Sequence, residues 1–175
     1  DAARSVDLPT IVLLFAFMVV SAQMRLGGFY TEVTRRVGAL PLSRAGLLAA
    51  LTGVAGVLSA VFSNDIICLA MTPVVARLCL KRGLNPIPFL IGLACAANIC
   101  SAATLIGNPQ NMLIGESLRL SFGGYLLDAF VPAALGLAAT WWIIARQARG
   151  RWERETPVPE VHAPPFDRWQ SAKGG

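Results

Sequence analysis

Histidine is almost missing from this chain: there is one in 175 residues, His162, and it lies in a Pro-rich tail where it reads as functionally inert. Charge is scarce as well, at 14% of residues against 55% hydrophobic. A soluble domain so built would lack the polar groups to cover its surface, so composition points to an all-α membrane protein. The apolar stretches hold no histidine, no Gly-x-Ser-x-Gly elbow and no paired aspartates, which leaves an intramembrane enzyme without its machinery. Cys68, Cys79, Cys95 and Cys100 lie in or beside apolar runs without Cys-x-x-Cys spacing, as packing residues do. Nor is there a basic n-region with a cleavage site; starting at Asp1, the chain reads as a piece of a longer protein. The formal charge of +5 comes mostly from arginines between the apolar segments, a topology signal rather than a nucleic-acid surface.

Those arginines order the spans. Residues 8–24 are apolar and just long enough to cross a bilayer at 1.5 Å per residue. Gly27-Gly28 breaks them, and residues 29–40 carry Phe29, Val33 and Val37 at helical spacing with Arg35 and Arg36 elsewhere, as an interfacial helix would. The run 45–80 is interrupted only by Ser63-Asn64-Asp65. Because Arg35, Arg36 and Arg44 precede it and Lys81 and Arg82 follow, the positive-inside rule puts both its ends on the cytoplasmic side and makes it a hairpin. Residues 87–120 read as one crossing helix unwound around Thr104 and Gly107-Asn108-Pro109-Gln110-Asn111, with Glu116 and Arg119 at its outer end. A span over 125–145 returns to Arg146, Arg149, Arg151 and Arg154, with Trp141 and Trp142 near the headgroups. Residues 156–175 read as a cytoplasmic linker.

Two polar strings thus interrupt hydrocarbon-length segments, where amides, a carboxylate and helix breakers are tolerated only beside a cavity or inside protein. Asn64 and Asp65 offer side-chain oxygens, and the unwound segment near Ile106 and Gly107 offers free carbonyls, a donor set suited to a hard monovalent cation. The helix starting after Pro109 presents free N–H groups and a positive dipole end, which favour an anion. No Lys or Arg lies between Phe89 and Leu118 or within ten residues of Ser63-Asn64-Asp65. An anion site there must rely on dipoles, amides and hydroxyls such as Thr104. Broken helices with termini at the midplane are the usual construction of secondary transporters. Ser63-Asn64-Asp65 also fits an ordinary extramembrane turn. The second string fits a loop less readily, since its flanking runs would then be too short to span. Ser59, one helical turn before Ser63, either faces the site or bonds back to its own helix.

Together, Ser59-Ala60-Val61-Phe62-Ser63-Asn64-Asp65, Met71-Thr72-Pro73 and the segment from Asn98 through Thr104 to Asn111 resemble the signature of the ion transporter superfamily. The similarity is to its divalent anion:sodium symporter, arsenite efflux permease and citrate transporter groups. It implies two inverted repeats, of which this chain is similar to most of the first, carrying a re-entrant hairpin and a broken helix. By that resemblance Ser59, Ser63, Asn64 and Gly107 would hold a sodium ion, the only cofactor-like species implied. Asn64, Asp65, Thr104, Asn108 and Asn111 would face the substrate. Asp65 stands where sodium-coupled members carry Thr, and Asn108-Pro109-Gln110 replaces a Thr-Pro-Pro string; a buried Asp can carry a coupling proton instead. The function implied is secondary transport of a small anion or oxyanion, with lipid, a second repeat and a second copy as partners. Asn108-Pro109 also resembles the Asn-Pro-Ala half-helices of aquaporins, so a channel-like pore is the alternative.

Overall fold

The computed structural model describes residues 8–153, and those residues form seven helices. They are α1 (Leu8–Leu26), α2 (Phe29–Ala39), α3 (Arg44–Val61), α4 (Asn64–Lys81), α5 (Pro86–Ser101), α6 (Pro109–Ser117) and α7 (Phe122–Gln147). The tail expected as a linker, with His162, lies outside the described residues. Among the described residues the sole strand-like pairing is an isolated bridge between Leu84 and Glu153.

Local chemistry sets the boundaries. Ser43 caps α3 by accepting from the Gly46 N–H at 3.1 Å, and Ser121 caps α7 by accepting from that of Gly124 at 3.1 Å. Helices α5 and α6 each start with an Asn cap followed by Pro at the first position, where a missing N–H and a fixed φ are harmless. Because Ser121 supplies the cap, α7 begins three residues before the expected 125. Phe62 and Ser63 alone separate α3 from α4, and residues 102–108 separate α5 from α6, so the expected crossing helix is two helices.

Helix α5 is the centre of the bundle, packed against α3, α4 and α7. The core joins Leu47, Leu48, Leu51 and Ala55 of α3, Ile67, Met71 and Val75 of α4, and Phe89, Leu93 and Ala96 of α5, all 2% exposed or less. Where α3 crosses α5, a Cβ on Gly56 would lie 2.6 Å from Cys100 Sγ, so the helices approach over bare backbone. Such small-residue contacts hold helices together in lipid, where apolar burial alone gives little preference. In contrast, α7 presents Leu127, Phe130, Val131 and Leu135 outward. By length and composition α3 and α7 suffice to cross a membrane; α3 is partly buried in the bundle, whereas none of the apolar stretch of α7 is.

One end of the bundle gathers the basic termini. Arg44, at the start of α3, pairs with Glu153, which also bridges to Leu84 after α4. The Asn85 N–H donates to Trp152 O at 2.9 Å, and the rings of Trp152 and Phe89 lie 5.8 Å apart. Arg82 donates to the carbonyls of Gly38 and Leu40 at the end of α2, and Trp141 Nε1 to Ala45 O at 3.0 Å. Both ends of the α3–α4 hairpin therefore sit together, and its tip lies at the opposite end.

Candidate functional site

The tip is tied to α5 and to the segment that follows it. Ser59 is fully buried and its hydroxyl donates to Ala97 O at 2.7 Å. The Asn64 amide donates to Asn98 Oδ1 at 3.1 Å, and Asn98 in turn donates to Ala94 O at 2.9 Å. Thr104 Oγ1 donates to Ala60 O, so the unwound segment is pinned to the last turn of α3. The two polar strings are neighbours.

Around 102–108 the backbone is satisfied by amides and a phenol. Asn108 Oδ1 accepts from the Asn111 N–H at 2.8 Å, the cap of α6, while Asn108 Nδ2 reaches Ser101 O at 3.3 Å. Asn111 Nδ2 donates to Thr104 O at 2.9 Å and lies 3.4 Å from Ala102 O and 3.5 Å from Ser101 O. Tyr125 OH donates to Ala102 O at 3.1 Å. The negative end of α5 is thereby covered by neutral donors. Gly107 makes this fold-back possible: a Cβ there would lie 2.3 Å from Ser101 O and 2.7 Å from its Cα, backbone atoms that cannot rotate away.

A cavity of about 150 Å³ lies between the first turns of α4 and α6. Ser63, Asp65 and Ile66 line it on one side, Ile106, Asn108 and Pro109 on the other, with Met18 and Met112 as apolar wall. Its volume leaves room for several waters, the scale of a small solute. Ser63 makes no side-chain cap to α4. The first N–H groups of that helix thus have no intrahelical partner, and two positive helix ends meet at one small space. Asp65, in the first turn of α4, is exposed and bonds to no group among the described residues.

Of the residues singled out in the sequence, Ser63, Asp65 and Asn108 line the cavity. Ser59 and Asn64 turn toward α5, Gly107 packs against Ser101, and Asn111 and Thr104 bond to backbone carbonyls. Asn98 and Tyr125 were not singled out as site residues; the signal for Asn98 was an amide inside an apolar helix, the criterion already applied to the two strings. Arg77, inside the run 45–80 toward its end, lies with Lys81 at the basic face. Among the described residues, no group of three or more His, Cys, Asp or Glu side chains is placed to hold a metal ion.

The family profile of the citrate transporter matches residues 1–164. The chain belongs to that family. Its relatives include the silicon efflux transporter LSI3 of Oryza sativa subsp. japonica, 39% identical over 77% of this chain and 28% of the relative. The putative transporter arsB of Dictyostelium discoideum is 30% identical over 73% of this chain and 23% of its own length. The magnetosome protein MamN of Paramagnetospirillum magneticum is 27% identical over 93% of this chain and 37% of its own. The chain therefore spans between about a quarter and two fifths of these relatives. That family and the transporters among these relatives are membrane transport proteins, not enzymes.

Proposed function

We propose that this chain is one repeat of a multi-pass cell-membrane secondary transporter that moves a small anion or oxyanion, coupled to protons or sodium. What carries the reading is the convergence of two helix first turns and one carboxylate, Asp65, on a cavity of about 150 Å³. Positive helix ends attract an anion without the cost of a buried Lys or Arg. The Asp65 carboxylate opposes it. Anion binding is then favoured when Asp65 carries a proton or a cation sits beside it, and that dependence is the coupling. For sodium, the oxygens of Ser59, Ser63, Asn64 and Gly107 are the ligands by family resemblance; Asn64 Oδ1 accepts no hydrogen bond among the described residues.

The α3–α4 pair is read as re-entrant. Trp141 of α7 meets the base of α3 and Tyr125 meets the end of α5 beside the tip, 16 residues apart along α7. At 1.5 Å per residue that is about 24 Å, short of a hydrocarbon core about 30 Å thick. The tip then ends within the membrane, where a second repeat supplies the facing half of the site. The outward apolar face of α7 suits lipid or a second copy. Uptake into proteoliposomes by the protein that carries this chain, over a panel of small anions with and without sodium and pH gradients, tests the reading. Gradient-dependent accumulation of at least one oxyanion or carboxylate is expected; passive flux insensitive to both gradients would contradict it.

A further inference from the structure

A second and larger cavity, about 500 Å³, lies away from the tip, between α2 and α4 from Leu69 to Lys81. Its α4 wall is a stripe at four-residue spacing: Leu69, Pro73, Arg77 and Lys81. Over about 18 Å, at 1.5 Å per residue, the stripe passes from apolar to cationic. Leu69 is 66% exposed, an apolar side chain left open toward the middle of the bundle. Arg77 and Lys81 are exposed and make no hydrogen bond or ion pair with any described residue. On the α2 wall Arg35 is held by Glu32, which also binds Arg36, so that triad keeps a net positive charge. The cationic end lies with Arg82 and Arg44 at the face that loop charges assign to the cytoplasm.

We infer that this groove binds an anionic phospholipid of the cytoplasmic leaflet, its phosphate between Arg77, Lys81 and Arg35 and an acyl chain along Leu69 and Pro73. Two unpartnered cations at the end of an apolar trough match the polarity of a lipid in its natural orientation. Basic pockets between membrane helices on the cytoplasmic side recognise such headgroups. A volume of about 500 Å³ falls in the range of small-molecule sites, about 300 to 1,000 Å³. The site is separate from the transport cavity and does not depend on its assignment.

The test is native mass spectrometry of the protein released from nanodiscs of phosphatidylcholine with a minority of phosphatidylglycerol. The wild type should retain phosphatidylglycerol selectively. The double variant Arg77→Gln, Lys81→Gln should retain about 30-fold less, the fold-change of about 2 kcal/mol for two juxtamembrane cations. Leu69→Gln should also weaken retention, while Arg149→Gln, at the same end but outside the groove, should not. Equal retention by the double variant, an equal loss in Arg149→Gln, or displacement of the lipid by millimolar inorganic phosphate would each overturn the assignment.

Discussion

The two ends of this bundle face the same problem, helix termini whose backbone groups need partners, and solve it with opposite chemistry. At the base, guanidinium groups, an ion pair and a tilted ring pair close the ends of α2, α3, α4 and α7. At the tip the work falls to Asn98, Asn108, Asn111, Thr104 and Tyr125, all neutral, with Asp65 the one charge lining the cavity among the described residues. The base can use charge because its ionic pair, Arg44 with Glu153, is exposed and stays solvated. On the re-entrant reading proposed above, the tip could not, since each ion buried in the membrane costs several kcal/mol unless compensated. The contrast teaches that helix ends in one bundle can be closed by exposed charge at one end and by uncharged amides and hydroxyls at the other.

The sharpest way to break this contrast is at Gly107. Gly107→Ala pushes a Cβ into the Ser101 backbone, and the solubilised protein should lose about 3 kcal/mol or more of stability, read as a fall in melting temperature. Asn111→Ala comes next. It strips the amide from Thr104 O and its neighbours, and the cost should be about 1–3 kcal/mol by the same measurement. At the base, Arg44→Ala removes an exposed pair with Glu153 and should change stability by less than about 1 kcal/mol. If Arg44→Ala proved costlier than Asn111→Ala, the division of labour between the ends would be reversed. The smallest effect concerns Glu32, whose carboxyl is held down at about 2 by hydrogen bonds from Arg35 and Arg36. Its folded value lies below the ordinary 4.5, so its contribution is present above pH 4.5 and disappears as pH falls through 2. Glu32→Gln should lower stability slightly at neutral pH and remove that acid-side dependence, so that the melting curves of the two proteins converge as pH falls toward 2.

Much of this was legible in local signals. Ser63-Asn64-Asp65 and Asn108-Pro109 are the polar interruptions of apolar runs, and both breaks fall where those residues sit, the second with its own Asn cap. Gly107 could be read as a break but not as a contact with Ser101, because nothing in a sequence states which backbone it must approach. Asn98 and Tyr125 escaped notice for the same reason: their value lies in partners 34 and 23 residues away. Asn108 and Asn111 read as substrate-facing by type, yet their amides bond to carbonyls at the end of α5. A broken helix must satisfy its own backbone before any side chain is free for a ligand.

Asp65→Asn tests the central claim most directly, because it keeps the shape of the cavity wall and removes the only charge on it among the described residues. In proteoliposomes, gradient-driven flux of the transported anion by wild type and variant should be measured beside substrate exchange without a gradient. If the carboxylate carries the coupling, Asp65→Asn loses gradient-driven accumulation and retains part of the exchange. Unchanged accumulation under a pH gradient, together with a strict sodium requirement in both proteins, would contradict a coupling role for Asp65 and return it to Ser59, Ser63, Asn64 and the Gly107 carbonyl.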